Sequence, residues 1–226
     1  MTTNSNVIEI LNFLRQLGIN NNREWFRAHK ERYDALRKPW EADVARLIEL
    51  MATWDEKARG LDVKQSVYRI YRDTRFSPDK TPYKTYFSAV IARGGRHCVS
   101  SGYYLHIEPG QSMLCGGIWW PEKDKLNAIR RLIDAEADEF AKLVAAPELT
   151  SRYAFEDSPF SHSLKRVPRE FNPDHPLAKY LKMKSYILVK HLDDDYFDCD
   201  DWVARVNADF RPLKPVHDFL DYVYDE

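Results

Sequence analysis

Apolar positions recur at helical spacing through the first quarter of the chain. Ile8, Leu11 and Leu14, with Phe13 and Leu17, follow the i, i+3, i+4 rule and predict a helix over 5–17. Asn4 or Ser5 is placed to cap it and Gly18 to end it. Asn20-Asn21-Asn22 then offers the N-cap of a second helix carrying Trp25, Phe26 and Tyr33 on one side. Proline is tolerated at a helix start, so a third helix is expected from about Pro39 to Lys57. Its stripe is Trp40, Val44, Leu47, Ile48 and Met51, and Gly60 closes the helical region.

The period then changes from helical to alternating. Ser66–Tyr71, Tyr86–Ala92, Tyr103–Glu108 and Ser112–Trp119 are short, rich in β-branched and aromatic residues, and bounded by Gly or Pro. Arg93-Gly94-Gly95-Arg96 and Pro109-Gly110 read as turns between them, which predicts an antiparallel meander. Pro121 opens a helix from Glu122 to about Val144 with Leu126, Ile129, Ile133, Phe140 and Leu143 facing in. A loop-rich stretch with Pro147, Pro159, Pro168, Pro173 and Pro176 follows, then a strand from Ser185 to Lys190. Asp200 or Asp201 caps a last helix with Trp202, Val206, Phe210, Val216, Phe219 and Leu220, bent at Pro212 and Pro215. The expected fold class is α+β: a single domain over 1–226, its mostly antiparallel sheet flanked by N-terminal and C-terminal helices. The blocks are N-terminal helices at about 5–57, a sheet core at about 63–120, a helix at about 122–144, and a C-terminal strand and helix at about 184–224.

Composition sharpens this picture chiefly by exclusion. An aromatic content of 13% argues against a disordered chain. Lys and Arg number 34 against 35 Asp and Glu, so a globally basic nucleic-acid binder is excluded. No apolar run is long enough to span a membrane, and Met1–Asn6 has neither a basic nor an apolar leader pattern, so a cytoplasmic chain is expected. Cys98, Cys115 and Cys199 are too widely spaced for a structural zinc site and read as small buried hydrophobes.

Charge is uneven along the chain. Asp62–Arg96 holds eight basic and three acidic residues, a net +5, whereas Asp193–Glu226 has a net −8. The densest chemistry runs from Arg69 to Lys84. If this segment is extended, Arg69, Tyr71, Asp73 and Arg75 share a face; if it coils, Arg69, Arg72 and Arg75 stack. The candidate ligand-binding residues are Arg69, Arg72, Asp73, Arg75, Lys80, Tyr83 and Lys84. Guanidinium forks beside lysines suit phosphate or carboxylate, with Asp73 orienting an arginine and Tyr83 donating a hydrogen bond. The competing reading is a structural ion-pair network in a noncatalytic interaction module, with some arginines reaching acids of the C-terminal segment.

Arg69-x-x-Arg72-Asp73-x-Arg75-Phe76-x-x-Asp79-Lys80-x-x-Tyr83 resembles the signature of a mainly bacterial family, domain of unknown function 2461. The likeness covers most of the chain. Upstream it takes in Phe13-Leu14-x-x-Leu17 and Asn21-Asn22-Arg23-Glu24-Trp25-Phe26. Downstream it takes in Gly116-Gly117-Ile118-Trp119-x-Pro121, Leu126, Arg130, Pro168–Phe171, Asp174-His175-Pro176, Leu181-Lys182 and Lys184-Ser185. Glu170 stands where the family often has Gly. The resemblance implies a fold and a localisation more than an activity.

Other features read mainly as structure. Asn22, Arg23 or Trp25 would sit at a pocket mouth beside the arginine motif if they are more than a cap and core aromatics. Gly116-Gly117 suits a tight sheet crossing. Asp193-Asp194-Asp195 reads as an exposed acidic turn rather than a Mg²⁺ site. Histidines 29, 97, 106, 162, 175, 191 and 217 show no triad spacing, and no Gly-x-Ser-x-Gly, Walker or H-E-x-x-H motif is present, so no cofactor and no metal are expected. Tyr68, Tyr71, Phe76, Tyr83, Tyr86 and Phe87 interleave with the basic residues as in a single-strand nucleic-acid binder, the least favoured reading at this overall charge.

Overall fold

The computed structural model describes residues 6–156 and 163–225. The expected cap at Asn4 or Ser5, Pro159 and His162 lie outside the described residues. Helix makes up 51% of the chain and five antiparallel strands form one sheet, which is an α+β fold. In chain order the elements are α1 (Asn6–Ile19), α2 (Arg23–Ala28), α3 (Lys30–Ala52), α4 (Val63–Ser66), β1 (Phe87–Ile91), β2 (Gly102–Ile107) and β3 (Ser112–Ile118). There follow α5 (Lys123–Ala135), α6 (Ala137–Val144), α7 (Pro147–Thr150), β4 (Ala154–Phe155), α8 (Ala178–Leu181), β5 (Tyr186–Leu192), α9 (Trp202–Phe210) and α10 (Lys214–Asp225). The strand order is β1-β2-β3-β5-β4, with Ala154 opposite Val189 and Phe155 opposite Leu188. No helix among the described residues is long and apolar enough to cross a membrane.

Several elements differ from the sequence expectation. α3 begins nine residues before Pro39, which lies inside it. The buried stripe Tyr33, Leu36, Trp40, Val44, Leu47 and Met51 runs straight through the proline. Each such side chain contributes about 1.5–3 kcal/mol on burial, which outweighs the roughly 3 kcal/mol an internal proline costs. Tyr33 therefore belongs to α3 rather than to the second helix. The expected strand Ser66–Tyr71 is replaced by α4, opened by a capping box between Asp62 and Gln65, and by two isolated bridges at Val67 and Tyr71. The single helix expected over Glu122–Val144 is two, broken at Glu136, and Leu126 and Leu143 are only partly buried. The last helix is interrupted by a 3₁₀ turn at Arg211–Leu213 that holds Pro212, while Pro215 lies in the first turn of α10.

Contacts divide the chain into two units. The first holds the described residues of Met1–Arg96, Tyr104–Leu114 and His191–Ala208. Its core is the face of α1 formed by Val7, Ile10, Leu11, Leu14 and Leu17 against α3. Trp40 lies parallel to Trp202 at 6.2 Å and edge-on to Phe87 at 5.9 Å. Asp194 pairs with Arg15, and Asp201 pairs with Arg46 while capping α9 at Ala204 N, 2.9 Å. These acids of the C-terminal segment thus meet arginines of α1 and α3, not the arginine motif.

The second unit holds the described residues of His97–Tyr103, Cys115–Lys190 and Asp209–Glu226. Ile129, Ile133, Phe140 and Leu220 form its centre, with Phe140 5.1 Å from Phe219. Asp209 accepts from Arg152 at 2.8 Å and from Lys190. Gly117, at φ 130°, lies so close to β5 that a Cβ would fall 1.8 Å from the Tyr186 carbonyl oxygen, the close approach expected of the glycine pair. Trp120 is the one non-glycine residue with positive φ among the described residues, so the turn at Glu170 needs no glycine. Cys115 is buried and its thiol is pushed up to about 12 by that burial, whereas Cys98 and Cys199 are half-buried, not core residues.

Candidate functional site

The arginine motif occupies a hairpin-like excursion of the first unit that leads into β1. Its arms pair through Tyr68 N to Ser88 O (3.0 Å), Lys84 N to Ile70 O (2.8 Å) and Arg72 N to Pro82 O (3.0 Å). Tyr71 and Tyr83 face each other as the non-hydrogen-bonded pair, so the Tyr83 N–H and C=O point outward. The Asn21 side chain meets both, accepting from Tyr83 N at 3.1 Å and donating to Tyr83 O at 2.9 Å. Asn22 caps α2 by accepting from Trp25 N at 2.9 Å. The Tyr83 ring stacks on Phe26 at 4.0 Å, and burial raises its phenol pKa. The pairing is extended through Arg72, which places Arg69 and Tyr71 on one face and ends the alternation before Asp73.

Beyond Arg72 the tip is tied to itself. Arg75 donates to both Asp73 oxygens, Nε to Oδ1 at 3.0 Å and Nη2 to Oδ2 at 2.7 Å, and this bond holds Asp73 down at about 2. Arg72 Nη1 donates to Asp79 and to the Thr81 hydroxyl, holding Asp79 at about 2 as well. Thr81 N closes an Asx turn on Asp79 at 2.9 Å. Lys80 Nζ donates to the Thr74 carbonyl at 2.9 Å. The Phe76 side chain at the tip is 93% exposed.

Beneath the tip lies a cleft of about 490 Å³ lined by Gly18, Asn21, Arg72, Asp73, Asp79, Thr81, Tyr83, Lys84, Thr85 and Tyr86. Of the residues singled out in the sequence, Arg72, Asp73, Tyr83 and Lys84 line it. Arg69, Arg75 and Lys80 do not. Lys84 differs from the other cations here. Its ammonium lies over the rings of Tyr68 (5.0 Å) and Tyr86 (5.4 Å) and meets no hydrogen-bond or carboxylate partner among the described residues. Burial lowers its pKa, and Arg69 and Arg96 nearby lower it further. Arg69 likewise has no ion-pair partner among the described residues, while Arg96 donates to the Val67 and Lys64 carbonyls at 2.9 and 3.0 Å.

Residues outside the candidate ligand-binding set complete the site. Asn21, Thr85 and Tyr86 line the cleft. Behind Thr85 and Tyr86, β2 and the residue after it present Tyr104, His106 and Glu108 on one face. Thr85 donates to Glu108 Oε1, Glu108 Oε2 is 2.9 Å from His106 Nε2, and His106 Nδ1 is 3.0 Å from the Tyr104 hydroxyl. Their shared alternation is visible in the predicted strand, but only His106 is weighed there, as one histidine among seven. No cluster of three or more metal-ligating side chains occurs among the described residues.

The profile of a family described as "Conserved hypothetical protein (DUF2461)" matches residues 9–219. No curated protein and no solved structure matches the chain.

Proposed function

The chain belongs to the DUF2461 family of conserved hypothetical proteins, and on that footing we propose that it binds a small phosphorylated or carboxylated anion in the cleft around Lys84. The observation that carries this reading is the Lys84 ammonium itself: half-buried, beside two arginines, open to a cleft, and without an acidic partner among the described residues. A buried charge is expensive unless it is compensated, and an anion supplies the compensation. Arg72, Thr81, Thr85 and Tyr86 line the same cleft. A structural reading fits the tip instead, because Arg72, Arg75 and Lys80 are satisfied within the loop. The family resemblance supports a cytoplasmic, bacterial setting.

Titration calorimetry and thermal shift with inorganic phosphate, a sugar phosphate and malonate test the reading. A ligand that binds only the folded chain adds about 2.7 kcal/mol at a hundredfold over its Kd. Wild type should be stabilised and Lys84→Met should not. Equal shifts in both proteins, or none in wild type, would sink the proposal.

A further inference from the structure

The face of β2 that turns away from Leu105 and Ile107 carries a hydrogen-bonded series whose direction follows from its chemistry. Burial pushes the Glu108 carboxyl up, but hydrogen bonds from His106 and Thr85 outweigh it, so Glu108 is ionised and has only acceptors to offer. His106 Nε2 then donates to it, at 2.9 Å, and in the neutral imidazole Nδ1 accepts the Tyr104 hydroxyl proton, at 3.0 Å. The outcome is a hydroxyl, an imidazole and a carboxylate in series, the same order of roles as in a hydrolase triad but ending in a phenol. His106 is 5% exposed and braced by the Tyr86 ring at 4.4 Å, while Tyr104 is half-buried. Tyr86 also carries the Lys84 ammonium, and Tyr68, which carries it on the other side, stands edge-on to Tyr104 at 6.2 Å.

We propose that Tyr104, His106 and Glu108 form an acid–base relay whose proton-transferring end is the Tyr104 phenol, acting on the anion held at Lys84. The relay stands on its own geometry; its substrate class, a small phosphate or carboxylate with an ionisable proton, rests on the binding reading above. In the forward step the Tyr104 proton passes to His106 Nδ1 and the phenolate oxygen takes the proton of the substrate. The substrate retains the electron pair as an anion, and the imidazolium is balanced by Glu108. The reverse transfers return the proton and regenerate neutral His106. No oxidant or reductant is required. Tyr104 is the catalytic residue, His106 its base, and Glu108 the positioning residue that fixes the tautomer.

Reaction with an uncharged reagent, benzenesulfonyl fluoride, followed by peptide mapping tests the relay without any ligand. Tyr104 should be sulfonylated about a hundredfold faster than Tyr71 and Tyr222, which are more exposed, the low end of general-base assistance. His106→Gln should bring Tyr104 to the level of Tyr222, with Glu108→Gln in between. Tyr104 reacting no faster than Tyr222 in wild type, or unchanged in a folded His106→Gln variant, would overturn the relay. Nitrogen-15 NMR of wild type needs no variant: His106 should carry its proton on Nε2, and a proton on Nδ1 would also overturn it. A 4-carboxy form of the reagent separates the two proposals. A preference for it of about tenfold, lost in Lys84→Met, supports an anion site that serves the relay. Fast reaction of the uncharged reagent with no such preference leaves the relay intact and removes the anion.

Discussion

The tip of the arginine loop and the floor of the cleft beneath it lie a few residues apart in sequence and treat positive charge in opposite ways. At the tip Arg75 is met by Asp73, Arg72 by Asp79 and Lys80 by a carbonyl. On the floor Lys84 is half-buried between aromatic rings with arginines for neighbours. The lesson is that a dense run of charge does not mark a site by its density. Where each acid lies two to seven residues from its arginine, the loop satisfies itself. Lys84 and Arg69 are the cations of the motif left without an acid among the described residues, and of the two only Lys84 lines the cleft.

The largest effect is expected where both regions share support. Phe26 is buried and stacks on Tyr83 at the root of the loop. Phe26→Ala should cost about 3–5 kcal/mol in urea unfolding and abolish anion binding with it. An unchanged midpoint would mean that the loop is held from elsewhere. Lys84→Met comes next and should divide the regions. Phosphate affinity should fall about 10–100-fold, the worth of one charge-assisted bond, while the unfolding midpoint stays level or rises. Loss of stability with unchanged affinity would place Lys84 with the tip.

The pH responses should separate the regions in direction. Lys84 has a folded pKa below its unfolded value. Between the two, the unfolded chain holds a proton that the folded chain has shed, so stability rises with pH in the window just below 10.5. Urea midpoints across the alkaline range should show that rise in wild type and not in Lys84→Met. Asp73 and Asp79 are depressed, so their contribution is present above the usual carboxylate pKa and is lost as pH falls through about 2. Smallest of all is Arg75→Gln. Its ion pair is in full solvent, and exposed pairs contribute little. Neither the melting midpoint nor phosphate binding should move, and a clear loss of binding would return the tip to the site.

Much of the fold was legible because the chain repeats its signals locally. The α1 stripe, the Asn22 cap and the three strands from Phe87 to Ile118 follow from period and turn chemistry alone. The start of α3 was misread because Pro39 looks like a helix opener, while the burial of Tyr33 and Leu36 that overrides it is tertiary. The Asp62–Gln65 capping box was present in the sequence and marks α4, yet the β-branched and aromatic residues after it suggested a strand. At the site, the arginine motif was plain and its pairing was not. Composition counts eight cations from Lys64 to Arg96 without saying which of them lacks a partner. Tyr104, His106 and Glu108 could have been found by reading the predicted strand two residues at a time.

The Asn21 side chain has a bearing beyond the cleft. With one N–H and one C=O aimed at Tyr83, it does what a single peptide group of an adjoining strand would do. A β-ribbon with outward-facing backbone is an invitation to a passing chain, and proteins usually blunt such edges with charge, proline or a bulge. Here one amide occupies the docking position, with Pro82 beside it offering no donor of its own. Removing the amide, as in Asn21→Leu, would open the ribbon to strand addition. Its cost would then appear less in the melting temperature than in the shelf life of a concentrated solution.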